Sequence, residues 1–583
     1  MKDDQGKTVI CNTAKTKADL LCSFFSSVYC NETDDDYGSL VTRPCFIEST
    51  PISVSEEDVL ARLNKLNINK SEGPDLLHPR VLYEIRHEIT YPLMILFNKS
   101  LEVKKIPEIW KCANICPIYK KGKKDEVSNY RPVSLTCIVC KILESIIRDK
   151  IMEHFIKNKL FTNRQFGFLK GRSTVTQLLQ ILDDWTEALE LGGRIDVIYT
   201  DFEKAFDKVP HKRLLSKLSS YKLHDSIIEW INNFLSDRHQ RVRIGGEFSC
   251  WAKVLSGIPQ GSILGPLLFI IFINDFVDIC SDSIKMYLFA DDANMYCHIR
   301  NILDIDNLQS GIDKFVKWTD RWQVKLNTDK CKVISVHHRR YSKKEAVPKY
   351  LMNDTVLEEV MEIKDLGVYY DSLLLFDKHV SEKVNKAYMM LGIIKRNFVH
   401  LSHNCFVILY KSLVRSHLEY ANSVWYPKRK TDVDKLERVQ KRATKLIPEL
   451  SKRSYSDRLK ALHLPTLKYR RFRGDMIEVF KIIKGMYDPA CVPQFEFINL
   501  GNDTVRTRGN QYKLTQHRYH YDLRKFSFTN RVIPIWNSLP NQVVCAETVN
   551  SFKNRLDKFW SDQEVLYDYK SDIHGIGNRS ILV

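Results

Sequence analysis

The 583-residue sequence has no long hydrophobic run, which argues against a helical membrane anchor. Its longest apolar stretch, residues 266–273, is far shorter than the ~20 residues that a helix needs to cross a bilayer. The N-terminus, MKDDQGKTV, also lacks the pattern of a secretory signal. We therefore expect an intracellular protein without membrane contact.

The fifteen cysteines lack the regular spacing of a disulfide framework, so we expect reduced thiols. Two pairs, Cys112 with Cys116 and Cys137 with Cys140, loosely resemble a zinc site. The apolar spacing of SLTCIVCKILESII favours instead a buried helix in which cysteine acts as a small hydrophobic residue. Zinc stays open here as the less favoured interpretation.

The positive charge is concentrated in the last third of the chain. Residues 401–583 carry 32 Lys and Arg against 18 Asp and Glu, and residues 1–400 carry 57 against 53. A localised basic excess is typical of a surface that binds nucleic acid phosphates. Basic clusters at 428–430 and 339–340 resemble nuclear import signals, but in so basic a chain they leave both nucleus and cytoplasm open.

Length and hydrophobic patterning predict several lobes of mixed α and β structure with a mostly helical second half. Residues 1–50, with an acidic stretch at 34–36, are polar and indicate a linker. Further elements follow from local patterns. They are helices starting near Ser53 and at about 81–101, 138–155, 175–191, 211–235, 263–276 and 307–323; two strands within 110–135; and a central sheet from a strand at 195–201, strands flanking Gly245 and Gly246, and a hairpin at 284–299.

Two acidic clusters stand at the ends of apolar, β-rich runs. Asp201 follows IDVIYT, and Asp291 and Asp292 follow KMYLFA. An unpaired carboxylate beside buried strands is costly unless a cation meets it, and Mg²⁺ prefers such oxygen ligands. Two strands that each end in Asp could seat two ions ~4 Å apart, as in-line phosphoryl transfer requires. A single Asp at a strand end is more often ordinary turn chemistry.

Seven motifs in a fixed order favour the functional interpretation of these aspartates over ordinary turn chemistry. They are NYRPVSL (129–135), FGFLKGRST (166–174), YTDFEKAFD (199–207), SGIPQGSILGP (256–266), FADD (289–292), LNTDKCKV (326–333) and LGVYYD (366–371). Together they resemble the polymerase core of reverse transcriptases, nearest to those of jockey-like non-LTR retrotransposons. The resemblance covers roughly residues 50–560.

The resemblance implies an α+β, right-hand polymerase with fingers, palm and thumb and a mostly helical, basic C-terminal region. The expected divisions are a linker remnant (1–50), an N-terminal helical extension (51–109), fingers (110–195), a palm with the catalytic aspartates (196–365), a thumb (366–450) and a basic C-terminal helical region (451–583).

By the same resemblance, Asp201 and Asp291 hold two Mg²⁺ ions, which Mn²⁺ could replace, and Asp292 is their neighbour. The carbonyl of Phe202 can supply a further oxygen. Lys330 matches a lysine proposed to protonate the leaving pyrophosphate. Asp207, six residues after Asp201, more plausibly caps the following helix.

The nucleotide-binding residues are also carried by the motifs. Arg131 is expected to hold triphosphate oxygens in a bidentate fork, with Lys120 and Lys121 as point charges. Phe206 matches the position that packs under the sugar and excludes a 2′-hydroxyl, although an ordinary core Phe is equally consistent with its type. Gln260 and Gly261 suit a loop that lies against a base pair.

The implied reaction adds dNTPs to a DNA 3′-end on an RNA template, with nicked target DNA as the natural primer. Arg438 and Arg442, interleaved with Trp425 and Tyr426, would stack on or contact nucleotides, although packing alone would explain Trp425. Full-length relatives carry an N-terminal endonuclease that residues 1–50 could not house. The sequence therefore suggests a truncated gene product or a decayed copy.

Two alternatives stay open at this point. The chain could be a catalytically inactive, truncated or co-opted copy that only binds nucleic acid; truncation favours this hypothesis, and the intact aspartates oppose it. A group II intron-like maturase is weaker, because neither a maturase domain nor an HNH-type nuclease is apparent downstream.

Overall fold

The computed structural model describes residues 1–2, 8–33, 43–339, 348–398, 400–498 and 510–575. The fold is mixed, with 48% helix and 14% strand. The acidic stretch at 34–36 and Arg340 lie outside the described residues. Among the described residues, no helix combines the length and apolar character needed to cross a membrane.

Within the described ranges, the strands form two five-stranded sheets and two small hairpins. Their bounds are β1 (Cys112–Tyr119), β2 (Tyr130–Leu135), β3 (Arg194–Thr200), β4 (Arg238–Ile244), β5 (Glu247–Phe248), β6 (Ala252–Val254), β7 (Ile284–Phe289), β8 (Asp292–Ile299), β9 (Lys332–His337), β10 (Leu351–Met352), β11 (Thr355–Val356), β12 (Glu358–Glu359), β13 (Glu362–Asp365) and β14 (Val368–Asp371).

The first sheet, in the order β12-β9-β3-β8-β7, carries the acidic clusters. Strand β3 lies at its centre and runs antiparallel to both β8 and β9. Side chains alternate between the two faces, so Ile198 joins one large core while Ile195 and Val197 join the other. The predicted strand at 195–201 and hairpin at 284–299 are confirmed.

The second sheet combines β2, β1, β4 and β5, with β6 paired to β4. The two strands predicted within 110–135 are confirmed as β1 and β2. The strands that flank Gly245 and Gly246 exist, but their assignment to the central sheet is wrong, since β4 pairs in parallel with β1. This pairing spans more than 100 residues of sequence, which no local pattern reports.

Most predicted helices are present, and their bounds differ by a few residues. The α-helices are α1 (Ala14–Ser26), α2 (Glu56–Leu63), α3 (Pro79–Glu84), α4 (Arg86–Val103), α5 (Ile138–Lys157), α6 (Thr174–Glu190), α7 (His211–Ser220), α8 (Asp225–Leu235), α9 (Gly265–Phe272), α10 (Ile302–Arg321), α11 (Asp377–Asn397), α12 (His403–Leu409), α13 (Ser416–Glu419), α14 (Lys430–Thr444), α15 (Tyr455–Leu462), α16 (Leu467–Ile483), α17 (Asp522–Lys525), α18 (Phe528–Arg531), α19 (Ile533–Asn537), α20 (Asn541–Val544) and α21 (Val549–Phe559).

The linker predicted for residues 1–50 is wrong for residues 14–26, which form helix α1. A capping box at Thr13 starts the helix. Its buried face, which includes Leu21 and Phe25, forms a small third core with Ile115 of β1 and Val242 of β4. Residues 14–26 are therefore an integral part of the fold rather than a connection.

Candidate active site

The end of β3 and the turn between β7 and β8 bring three carboxyl groups together. The β3–β8 register pairs Thr200 with Ala293, so the next residue, Asp201, comes level with Asp292. Asp291 lies in the two-residue turn, where Ala290 adopts a left-handed φ of 56°. The buried Gln165 side chain fixes this turn by accepting the Ala290 amide at 3.0 Å.

Burial and neighbouring carboxyls raise the pKa values of two of these groups. Burial, and then the neighbouring Asp201, raise the pKa of Asp291. Burial, followed by Asp291 and Asp201, raises the pKa of Asp292 to about 6. Because the Asp292 side chain is itself exposed, solvent tempers this effect. Carboxyls whose ionisation is opposed by burial and by neighbouring carboxyls form a site suited to a cation.

Basic side chains from the second sheet face the same carboxyls. Lys120 and Arg131 both stabilise the ionised forms of Asp291 and Asp292. Lys120 directly follows β1 and Arg131 lies in β2, next to the Tyr119–Tyr130 pair at the end of the β1–β2 hairpin. Lys121 follows in the same exposed turn. The structure thus sets exposed cations opposite the acidic cluster, as binding of a triphosphate between them would require.

Lys330 lies on the other side of Asp201. Its Nζ donates to Asp201 Oδ2 at 3.0 Å, and both side chains stay substantially exposed. The backbone is fastened as well, because the Asn327 amide donates to the Asp201 carbonyl at 2.8 Å. This contact places an ammonium group at the predicted reaction centre, while the proton-donor role of Lys330 stays a prediction.

The ring of Phe202 is buried, and its backbone carbonyl points away from the segment that pairs with it. The ring packs edge-to-face against Phe276 and Phe315. Phe202 bridges Leu326, and the two hydrogen bonds of that bridge use the Asp201 carbonyl and the Glu203 amide. In such a bridge the carbonyl of the central residue points away from the partner segment. The Phe202 oxygen is therefore directed towards the β8 side, where the aspartates lie.

Phe206 is half-buried and stacks on Phe269 of α9, with ring centroids 4.3 Å apart and planes 21° apart. Its carbonyl accepts the Ile258 amide at 2.8 Å. Phe269 therefore holds the Phe206 ring in place, as a ring that packs under a sugar would require. Its role in sugar selection stays a prediction.

The PQG loop (residues 259–261) lies against β2. Gly261 has a φ of 134°, and a Cβ there would come within 2.4 Å of the Ser134 carbonyl oxygen, so this close approach requires glycine. The Ser134 amide donates to the Gln260 carbonyl at 2.8 Å. The Gln260 side chain donates to Asp207 Oδ1, also at 2.8 Å.

The predicted capping role of Asp207 is wrong. Helix α7 begins after Pro210, and its amides at Lys212 and Arg213 are bound by Glu32 instead. Burial raises the pKa of Asp207, while Gln260 and nearby basic residues counter this. Asp207 is therefore a partner of the PQG loop, and the distance of 53 residues between the two explains why local spacing did not show it.

A fourth carboxyl below the site was also missed by sequence reasoning. Asp365, the last residue of β13, is buried and accepts a hydrogen bond from Asn294 Nδ2 at 3.3 Å. Burial, and then Asp292, raise its pKa to about 7. Asp365 directly precedes the LGVYYD motif, but nothing in its local sequence marks it as a neighbour of Asp292.

Other candidates are not part of this site. All fifteen cysteines are free, and Cys137 and Cys140 are buried, as the hydrophobic interpretation requires. Trp425 is fully buried and donates to the Tyr420 carbonyl, so packing explains it. In the described ranges, no group of three or more Cys, His, Asp or Glu side chains is arranged to hold a metal ion. A metal at the aspartates would therefore need oxygens from backbone, water or substrate as well.

Comparison with known proteins identifies similar chains. Residues 118–393 match the family model of reverse transcriptase (RNA-dependent DNA polymerase), and this range includes every predicted site residue. The chain is 29% identical over 416 residues to the RNA-directed DNA polymerase from mobile element jockey of Drosophila melanogaster, an alignment that covers 69% of this chain and 45% of the relative.

Two further relatives agree. The probable RNA-directed DNA polymerase from transposon X-element of Drosophila melanogaster is 26% identical over 392 residues, covering 65% of this chain and 42% of the relative. The Pol polyprotein from retrotransposable element R2 of Nasonia vitripennis is 23% identical over 301 residues, covering 48% and 28%. The chain spans less than half the length of these relatives.

Residues 118–393 thus match the reverse transcriptase family. The chain is similar to the RNA-directed DNA polymerases of jockey-like non-LTR retrotransposons, in agreement with the resemblance carried by the seven motifs. Members of the family generally use divalent metal ions.

Proposed function

We propose that the protein extends a DNA 3′-end on an RNA template with dNTPs. The observation that carries this proposal is the proximity of Asp201 and Asp291 at one end of the first sheet, where burial and then Asp201 raise the pKa of Asp291. Lys120 and Arg131 face the same point and supply the positive charge that a triphosphate needs.

The residues present fit a pair of Mg²⁺ ions, with Mn²⁺ as a substitute. Carboxylates of Asp201 and Asp291 and the carbonyl of Phe202 are hard oxygen donors of the type that Mg²⁺ prefers, and a bound cation would offset the burial and the Asp201 charge that raise the pKa of Asp291. When bound, such ions make a hydroxyl more acidic and neutralise charge on the transferred phosphoryl group.

The remaining roles follow from position. Arg131 and Lys120 would grip the triphosphate, Lys330 would protonate the leaving pyrophosphate, and Gln260 with Gly261 would support the nascent base pair. Phe206 would exclude ribonucleotides, because a bulky ring held in place by stacking on Phe269 would clash with a 2′-hydroxyl if the sugar packs against it. Replacing Phe206 with Val should then raise ribonucleotide incorporation in a primer-extension assay, whereas unchanged selectivity would remove this role.

We keep the right-hand division as part of the proposal. The fingers would comprise 110–195, the palm 196–365 and the thumb 366–450, with the basic helices after residue 400 binding the nucleic acid backbone through exposed residues such as Arg438 and Arg442. A template RNA and a nicked DNA target would serve as partners, inside the cell and in either nucleus or cytoplasm.

Primer extension on poly(rA)/oligo(dT) with purified protein tests the proposal. The wild type should incorporate dTMP in the presence of Mg²⁺, and Asp291→Ala should abolish it, because that carboxylate completes the cation site. Asp306→Ala, on the exposed face of α10, is the matched control and should behave as the wild type.

Two results would contradict this account. Equal incorporation by Asp291→Ala would refute the site. A wild-type protein that retards RNA in a gel but adds no nucleotide would favour the inactive, co-opted copy that only binds nucleic acid.

A further inference from the structure

A segment before the matched family region reaches the PQG loop. Residues 29–33, which we call the N-terminal brace, follow helix α1, whose apolar face anchors them on β1 and β4. Tyr29 lines a cleft of about 460 Å³ together with Asp207, Pro259 and Gln260. Burial, and then the neighbouring Asp207, raise the pKa of the Tyr29 phenol.

A relay of hydrogen bonds runs from the brace to the loop. The Cys30 amide donates to Ser256 Oγ at 3.0 Å, and Ser256 Oγ donates to the Asp207 carbonyl at 2.9 Å. The Asp207 carboxylate in turn accepts Gln260 Nε2. Ser256 is buried and Asp207 is half-buried, so water replaces these hydrogen bonds poorly and each polar group depends on its partner.

The second attachment is at helix α7. Glu32 Oε2 accepts the Lys212 amide at 2.9 Å, and Oε1 accepts the Arg213 amide at 2.9 Å. A carboxylate at a helix N-terminus satisfies amides that have no partner within the helix and complements its dipole. Glu32 therefore caps α7 from a segment 180 residues away.

Helix α7 passes this restraint directly to the loop. Its first residue, His211, donates through Nε2 to the Gly257 carbonyl at 2.8 Å, and the Gly257 amide donates to the Val209 carbonyl at 2.9 Å. Gly257 is also packed so closely that a Cβ would lie 2.5 Å from the Asp207 carbonyl oxygen. The backbone before the PQG loop is thus held from both sides.

We propose that the N-terminal brace positions the PQG loop for the incoming nucleotide and its template base. The inference rests on the polymerase function proposed above, and it assigns a role to residues outside the range that the family model matches. Glu32 and Ser256 are positioning residues: they fix Gln260 through Asp207 and α7 without contacting the substrate.

Steady-state extension with the full chain separates positioning from mere stability. Glu32→Ala should raise the KM for dTTP about 3- to 10-fold with little change in kcat per correctly folded molecule, because a displaced loop weakens nucleotide binding. Glu32→Gln, which keeps one acceptor oxygen, should fall between. Lys17→Ala, on the exposed face of α1, is the matched control and should match the wild type.

Hydrogen–deuterium exchange provides a readout that needs no activity. The proposal predicts that backbone amides of residues 256–262 exchange at least about threefold faster in Glu32→Ala and in Ser256→Ala, but not in Lys17→Ala. If loop exchange and KM both stay at wild-type values while the melting temperature falls, the brace is only structural and the inference is overturned. A wild type without incorporation would instead refute the polymerase function, and the exchange result would still decide on the brace.

Discussion

Strand β3 carries an aspartate at each end, and the two have opposite surroundings. Near its start, Asp196 is fully buried and accepts hydrogen bonds from Arg194 Nε, Ser335 Oγ and Tyr350 Oη. Just past its end, Asp201 is 40% exposed, and its carboxylate contacts Lys330. The same residue type on one strand is therefore satisfied by the protein at one end and left available at the other.

The difference shows how to separate structural from functional carboxylates. A buried charge needs hydrogen-bonding partners to be tolerated, and Asp196 has them from three side chains. Asp201 is grouped with Asp291 and Asp292, whose pKa values are raised by burial and then by neighbouring carboxyls, Asp201 among them. Such repulsion costs stability, and a chain retains it where a ligand of opposite charge relieves it.

The largest expected effect is on catalysis at Asp201. Asp201→Asn should lower single-turnover dNMP addition at least about a thousandfold, equivalent to about 4 kcal/mol of transition-state stabilisation. Its free energy of unfolding should change by less than about 1 kcal/mol, since the lost ion pair with Lys330 is exposed. Rapid-quench kinetics measure the rate, and urea unfolding measures the stability. A large loss of stability with an unchanged rate of dNMP addition would mean that Asp201 is the structural carboxylate.

Asp196→Ala should show the complementary pattern. It removes the carboxylate from Arg194, Ser335 and Tyr350 inside the core, and breaking a buried ion pair costs about 3–5 kcal/mol. Urea unfolding should detect this loss, while the folded fraction should keep the wild-type rate of nucleotide addition. Asp196→Asn, which preserves shape and one acceptor, should lose less; a variant with full stability and no activity would contradict the structural role.

A smaller effect, on the pH dependence of the free energy of unfolding, is expected at Asp365. Its pKa of about 7 lies above the usual value near 3.9, so between those pH values the folded protein holds a proton that the unfolded chain releases. The free energy of unfolding therefore falls as pH rises from about 4 to 7. Asp365→Asn should remove about 2–4 kcal/mol of this decline.

Urea unfolding of wild type and Asp365→Asn at pH 4.5 and pH 8 checks the sign. Relative to the wild type, the variant should have a higher free energy of unfolding at pH 8 than at pH 4.5. A stability difference that stays constant across the range would mean that this carboxyl titrates normally in the fold.

Local patterns were sufficient for most single elements of the fold. Alternation and turn residues gave β3 and the β7–β8 hairpin, and helical spacing gave α5 and α6. They failed where an element depends on distant partners. The pairing of β4 with β1 and the packing of α1 in the third core are set by contacts across more than 90 residues.

The candidate site divides in the same way. Asp201, Asp291, Lys330 and Arg131 were predicted from motifs, because their side chains follow directly from strand ends and turns. Asp365 and the pairing of Asp207 with Gln260 were not, since hydrogen bonds between separate segments leave no periodic signal. The residues proposed to act on substrate were thus easier to predict than the residues that hold them in place.

The central claim is that Asp201 and Asp291 share cations. Anomalous diffraction at the manganese edge, from crystals of the protein with primer–template, dNTP and Mn²⁺, tests it most directly. The account predicts density peaks between the two carboxylates, within about 2.5 Å of an oxygen of each. Peaks at other sites with none between Asp201 and Asp291, in crystals where the primer and dNTP are fully bound, would contradict it.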